Sequence, residues 1–529
     1  MASTTTSLKN SNFGGIRRQN SDFSDTQITC SNCQNVELFF TGLNSGVGIR
    51  TAKGNVAVSK TTVDNELVSI VPADENIFGM FEAVLDNVTY FFVYTENELE
   101  GKVYTFDKYQ IELTPIKGGL TPTGKVMATE FTQGWLDMFV LSNGANVVYL
   151  YVDTETHGNI TIEEDSKIKL VDTDGRTVKG LGLVNFDSRL WIFDGKVLWY
   201  SQKGDCRVFN YVDPDITTSS GYIEFVKSVT AIYPYLGSLA IFFKDSSVLL
   251  KTDATTRFMY DEESPGGCAN YDSLVFHGTD LYFYDHTKRG VFSFQQVING
   301  DKTLGDNIAL DVQEELMQIP DVKVKEIRAL SVITSDRNEV WFIVPISNDD
   351  RYTYILIFDY LRGEWVKRKC QKVNCIAVIE SYLYSAGKDI YEEYASDLFD
   401  GEFIECFYTC STLNLGEDNT LKITKFPPRV TCDGSYKNMF WVKYIKNYNP
   451  MKQPKIKFCK GKSYGNIMVF DSDDCWDSGK IYTPTNFNAI MKLPSSTFKA
   501  LEATIYTTNE DENFCFKSIE FSKIKVKQV

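Results

Sequence analysis

The feature that most limits how this chain can fold is a hairpin that keeps returning. Residues 189–205 read RLWIFDGKVLWYSQKGD: an aromatic run, the turn pair Asp194-Gly195, and a second aromatic run back. Asp-Gly tolerates positive φ at both central positions, so a two-residue type I′ turn is expected there. A lone hairpin is not stable in water and must stack on others. The chain supplies them. YFFVYTENELEGKVYTFD (90–107), DMFVLSNGANVVYLYVD (137–153), SRLWIFDGKVLWYSQ (188–202) and GSLAIFFKDSSVLLKTD (237–253) share the pattern. So do TDLYFYDHTKRGVFSFQ (279–295), NEVWFIVPISNDDRYTYILIFD (338–359) and ESYLYSAGKDIYEEY (380–394).

The turns fall about 40 to 60 residues apart, with weaker strand signals such as 221–226 and 229–235 between them. That period, with about four short strands per unit, is the signature of a β-propeller. One blade cannot bury both faces of its sheet, whereas blades stacked radially cover one another. Trp191, Phe193, Trp199 and Tyr200 are therefore expected to pack between blades. The expected fold class is all-β: a β-propeller of about six to seven blades over residues 60–395, followed by a C-terminal β-sandwich over 400–529. A β-sandwich with long loops is the alternative. One amphipathic helix is expected over 306–319, with Ile308, Val312, Leu316 and Ile319 on its apolar face.

Charge supports a boundary near residue 400. Residues 401–529 hold 18 Lys+Arg against 14 Asp+Glu, which leaves 36 against 56 in residues 1–400. The first part is thus net −20 and the second net +4. Past the boundary the aromatic period stops, and ITKFPPRV (423–430) puts two prolines where a central strand would be interrupted. Residues 1–59 read as an N-terminal arm and lead-in. Its Ser/Thr/Asn-rich start is expected to need a partner to order it.

Composition narrows the function classes. The chain is 43% hydrophobic and 23% charged, which is ordinary globular chemistry. A net charge of −16 argues against a surface that grips nucleic acid throughout. No apolar run approaches the ~20 residues of a membrane span, and the start lacks the apolar stretch of a signal peptide. Synthesis in a cytoplasm is expected, with the 12 cysteines as free buried thiols.

Candidates for chemistry are few. His157, His277 and His286 each lack a second ligand or a nucleophile motif nearby in sequence. Cys30 and Cys33 with Cys406 and Cys410 could supply four thiolates for zinc, but they fall in different inferred domains. DSDDCWD (471–477) clusters carboxylates without the grammar of a calcium loop. GLNSGVGIR (42–50) is not a phosphate-binding loop, because no Gly-Lys-Ser/Thr follows. TRFMYDEESPGG (256–267) reads as a solvated acidic face, and SDRNEVW (335–341) lacks the spacing of a sialidase turn. The expectation is no catalytic, cofactor-binding or metal site: a structural or interaction protein, not an enzyme, with no cofactor.

A sequence of packing motifs then becomes specific. Phe13-Gly14-Gly15-Ile16 comes first. Tyr200-Ser201 with Gly204-Asp205 closes the third hairpin, and AIYPYLGSLAIFFK (231–244) follows. Next come ESPGGCANYDSLVFHGTDLYFYDHTKRGVFSF (263–294) and FDYLRGEW (358–365). Over roughly residues 13–390, this order resembles the β-propeller tail nozzle or tail stabilisation (ring or hub) proteins of short-tailed bacteriophages. The richness in Asn, Lys, Ile and Tyr fits an AT-rich genome such as that of a crAss-like gut phage.

The resemblance implies a structural virion protein, made in the host cytoplasm and located in the virion tail. It would be a subunit of a ring around the DNA-ejection channel. The implied partners are copies of itself in a hexameric or dodecameric ring, and other tail and portal-proximal proteins. Contact with genomic DNA would be transient, without stable nucleic-acid or membrane binding. The resemblance brings no catalytic residues. The alternative is a host-surface carbohydrate-binding propeller module, which needs exposed aromatics at one mouth of the propeller. A ring subunit instead buries broad faces. The charge split adds one expectation: the acidic propeller faces the channel, and the more basic C-terminal domain docks on neighbouring subunits.

Overall fold

The computed structural model describes residues 5–16, 27–41, 46–61, 67–152, 160–163, 167–213, 217–252, 258–261, 263–299, 304–346, 351–411, 413–414, 420–424, 429–433, 436–446, 454–460, 467–468, 481–482, 488–493, 497–498 and 500–528. The protein is all-β apart from short helical turns.

Among the described residues, seven sheets of three to five strands follow one another, most with their strands in chain order. The first is Asn76–Leu85, Val88–Glu96, Gly101–Asp107 and Glu112–Leu120; the second is Met127–Gln133, Leu136–Ser142, Val147–Val152 and Ile160–Ile162. The third is Leu181–Phe186, Arg189–Asp194, Val197–Tyr200 and Gly221–Glu224. The fourth runs Ala231–Tyr235, Ser238–Phe242, Ser246–Thr252 and Phe258–Tyr260, with Ser264–Pro265 added against its third strand. Among the described residues, the fifth is Leu274–His277, Asp280–Asp285 and Gly290–Ser293. The sixth is Arg328–Ile333, Asn338–Val344, Tyr352–Asp359 and Glu364–Gln371. The seventh is Val373–Ile379, Tyr382–Gly387 and Ile390–Ser396, completed by Gly54–Ala57 from the start of the chain.

The first strand of each sheet touches the first strand of the next, or the turn Tyr271–Ser273 that opens the fifth. The last such contact, Val373–Ile379 with Asn76–Leu85, closes the circle. First strands ringed about an axis are the arrangement of a β-propeller. All seven hairpins read from the sequence are the second and third strands of these sheets.

The opening hairpin explains its own aromatics. Leu190, Ile192 and Trp199 pack on Phe131, Met138 and Tyr149 of the second sheet. Trp191, Phe193 and Leu198 alternate to the other face and pack on the fourth sheet. Alternation along a strand buries both faces when a neighbour stands on each side. The turn differs from expectation. Asp194 pairs with Val197, so the loop is Gly195-Lys196, and only Gly195 has positive φ, at 59°. This is the type II′ pattern: Gly takes the first central position and Asp ends the strand.

The helix expected over 306–319 is also broken up. Leu310–Val312 is a 3-10 turn and Gln313–Met317 a short α-helix. Asn307 Oδ1 accepts from Ala309 N at 3.0 Å and Val291 N at 3.1 Å, which ties the start of this segment to the fifth sheet. Val312, Leu316 and Ile319 are buried, as the apolar stripe requires.

The chain divides into two compact units: Val56–Tyr354 with Gln371–Glu393, and Met1–Asn55 with Ile355–Cys370 and Tyr394–Val529. The N-terminal segment is therefore not a separate arm, as the division at residues 59 and 400 had it. In Thr5–Ile16, residues Thr5 to Ser11 pair with Cys515–Gln528, and Asn12 to Ile16 pair with Gln27–Gln34. The C-terminal strands have unpaired edges, and this segment satisfies them. Phe516 on one side of that shared strand meets Phe440 on the other at 4.9 Å between ring centroids, and Phe13 lies edge-on to Tyr408 at 5.8 Å.

Candidate functional site

The starts of the inner strands meet at a cavity of about 320 Å³. Its wall takes Phe78 from the first strand, Thr123 to Lys125 ahead of the second and Asp272 ahead of the fifth. Arg328 opens the sixth strand, and Val373 and Asn374 open the seventh. Because strand starts gather here, these inner strands run the same way, and their first turns lie at the opposite end. A second cavity of about 570 Å³ continues from the first and shares Phe78, Asp272, Arg328 and Ile343. It runs along the inner strands past apolar groups such as Met80, Val126, Leu274 and Trp341.

Arg328 is a strut across this space. Its Nη1 donates to Phe78 O at 2.7 Å and its Nη2 to Gly124 O at 3.3 Å, while Nε lies 3.7 Å from Asp272 Oδ2. The loop carrying Lys125 is held from behind. Glu96 accepts from Thr123 N at 2.8 Å, Gly124 N at 2.6 Å and the Tyr94 hydroxyl at 2.7 Å. Asn143 Nδ2 donates to Tyr94 Oη at 2.9 Å and to Thr121 O at 2.7 Å. Burial pushes the Tyr94 hydroxyl well above its usual pKa, so it serves here as a donor.

A second basic loop is the 3-10 turn Asp321–Glu326, which carries Lys323 and Lys325. Asn270 fixes it: Nδ2 donates to Val324 O and Ile327 O, both at 3.2 Å, while Oδ1 caps Asp272 N and Ser273 N. Lys372 adds a third cationic side to the cavity. The wall thus holds Lys125, Lys323, Lys325, Lys372 and Arg328 against Asp272 and Glu326, inside a chain of net −16. Arg328 is engaged by Asp272 and two carbonyls. Among the described residues, none of the four lysines has a carboxylate within ion-pair distance. Burial lowers the Lys125 pKa; Asp272 opposes this, and Lys325 and Arg328 add to it. Burial likewise raises Asp272, against Arg328 and Lys125. What such a mouth can do chemically is hold negative charge.

The opposite end has another character. Trp135 is 82% exposed in the turn between the first two strands of the second sheet, and Leu236 is 81% exposed in the corresponding turn of the fourth. Val84, Val88, Ile333 and Tyr382 are exposed at or beside the corresponding turns, and Tyr109 at the third turn of the first sheet. Leu236 also sits at φ 47°, where a branched aliphatic residue is strained.

The sequence candidates are scattered. His277 is buried, with Nδ1 2.9 Å from Ser331 Oγ, and burial lowers its pKa. His286 is lowered the same way. His157 and the stretch 471–477 lie outside the described residues, as do parts of 42–50 and 256–267. The cysteines correct the reason given against zinc. Cys30 and Cys410 are direct partners on adjacent strands, and Cys33 hydrogen-bonds to Cys30, so three thiols share one unit. Cys406 stands apart, beside Ile404 O and Thr507. No group of three or more His, Cys, Asp or Glu among the described residues is placed to hold a metal ion. The described cysteines are unbridged, and burial raises the Cys406 and Cys410 thiols to about 12.

Sequence reasoning missed the basic mouth entirely. Its lysines come from loops about 50 to 200 residues apart, and nothing local marks them as neighbours.

No family of known proteins matches the sequence, and no curated protein does. Among solved structures the chain is similar to a streptogramin B lyase, at 12% identity and a TM-score of 0.37, covering 62% of this chain and 96% of that one. It is also similar to virginiamycin B lyase from Staphylococcus aureus, at 10% identity and a TM-score of 0.38, covering 62% and 97%.

Proposed function

We propose that the chain is a structural virion protein: a seven-bladed β-propeller with a β-sandwich, built into a ring of a phage tail around the DNA-ejection channel. The observation that carries this reading is the apolar turn rim. Trp135 and Leu236 contribute nothing to the core of their own chain. Leu236 holds a strained backbone angle where Gly or Asn would serve the turn better. Exposed apolar groups at these turns fit a surface that is covered in an assembly. The order of packing motifs read from the sequence supports the same class. The protein works by shape and contact, without a chemical step.

One observation favours the carbohydrate-binding alternative: Trp135, Tyr109 and Tyr382 are exposed aromatics at one end. Aliphatic Leu236, Ile333, Val84 and Val88 lie at the same end, and they suit a protein partner better than a sugar. The test is oligomeric state by mass photometry. The wild-type chain should form closed multimers, alone or with its neighbouring tail proteins. Trp135→Glu with Leu236→Glu should leave a folded monomer of unchanged melting temperature. Unaltered assembly in that double variant, or glycan binding lost with Trp135, would reject the reading.

A further inference from the structure

The basic mouth has a use that the ring reading does not require. We propose that the cavity at the start of the inner strands binds a small organic phosphate, with its charged group among Lys125, Lys323, Lys325 and Lys372 and its apolar part toward the inner cavity. This stands whether or not the chain is a tail protein.

Three observations converge on it. The first is local charge. Five cationic side chains face two carboxylates around about 320 Å³, in a chain whose overall charge is −16. Bringing like charges together in a partly enclosed space is unfavourable unless an anion joins them. Asp272, 3.7 Å from Arg328 Nε and also acting on Lys125, offsets only part of this charge. Burial is the main cause of the lowered Lys125 pKa, and Lys325 and Arg328 add a smaller repulsion. A divalent phosphate monoester offsets this excess better than a monovalent carboxylate.

The second is construction. The loops bearing the lysines are pinned through their backbones, not through the lysines. Glu96 and Asn143 hold the residue 121–125 loop. Asn270 holds the 3-10 turn with Lys323 and Lys325, and Arg328 joins Phe78 to Gly124 across the gap. The Lys125 ammonium lies over the Tyr271 ring at 5.8 Å, and none of the four lysines is in an ion pair among the described residues. The Lys side chain is a common point-charge binder of phosphate.

The third is the floor. The cavity opens onto the apolar space of about 570 Å³ through shared Phe78 and Ile343, so an inorganic ion would use only half of it. Pockets of this combined size, apolar with a few convergent charges, are those that take small molecules.

The test is isothermal titration of the full-length protein with three probes: phenyl phosphate, inorganic phosphate and benzyl alcohol. Phenyl phosphate should bind saturably at one site, at least tenfold tighter than either other probe, and should weaken as salt rises. Lys323→Gln with Lys325→Gln should weaken phenyl phosphate at least tenfold and leave the melting temperature unchanged. Lys196→Gln, on the exposed third hairpin, should change nothing. Wild-type affinity in the double variant, or no saturable binding by the wild type, overturns the proposal. Competition by a single-stranded oligonucleotide that binds more tightly than phenyl phosphate would also overturn it, by assigning the lysines to a nucleic-acid backbone.

Discussion

Single residues tie distant motifs together. Phe13-Gly14-Gly15-Ile16 and FDYLRGEW are far apart in the chain, yet they meet: Gly15 N donates to Glu364 Oε2 at 3.0 Å, across 349 positions. A Cβ on Gly15 would come within 2.5 Å of Trp365 O, which is backbone and cannot step aside cheaply. Gly15→Ala should therefore cost about 1–3 kcal/mol, read as a lower denaturant midpoint. An unchanged midpoint would mean that this approach is loose. The sequence displayed both motifs but not their contact, since nothing local encodes a meeting at that separation. His277 offers a second reading at this scale. Burial holds its imidazole below the usual pKa, with a bond from Asn338 acting the other way. The unfolded chain takes up a proton near pH 6.5 and the folded chain only below that. Stability is therefore complete above about pH 6.5 and is lost as pH falls further. His277→Gln should flatten the fall in melting temperature between about pH 7 and about pH 5. A slope equal to that of the wild type would contradict it.

At the scale of elements, what could be read from the sequence was whatever repeats locally. The seven hairpins have an aromatic run, a polar turn and a second run within one short window, and each became the middle of a sheet. The inner strands were harder to see, because they are flanked by loops of varied length. Their turns were missed as well: Asp86-Asn87, Asp187-Ser188 and Glu380-Ser381 have positive φ at both positions, the type I′ pattern expected at Asp194-Gly195. The helix expected over 306–319 is instead a 3-10 turn followed by a short α-helix, a break that periodicity does not register. Asn270 shows how one side chain can fix an element. It caps the turn before the fifth sheet and holds the 3-10 turn with the two lysines. Asn270→Ala should cost about 1–3 kcal/mol by leaving buried carbonyls unpaired. Amide hydrogen exchange should quicken across residues 321–327 above all. Uniform exchange change across the whole chain would mean that the loop is held by other contacts.

For the whole molecule, charge arithmetic predicted a boundary and an acidic propeller, and it could not predict a basic mouth inside that propeller. Net charge sums over surfaces that function keeps separate. The first unit has a cationic cavity where its inner strands begin, and exposed apolar side chains such as Trp135 and Leu236 where they turn. The N-terminal strand also joins the C-terminal strands, so truncating the start should unsettle the second unit and leave the first hairpins intact. The central claim is that this body is a fixed part of a larger particle, and electron cryomicroscopy of intact particles tests it most directly. The account predicts density for this chain in a closed ring of the tail, with Trp135, Leu236 and Tyr382 covered by a neighbouring subunit. Particles that lack the chain, or a ring in which that rim faces open solvent, would contradict it.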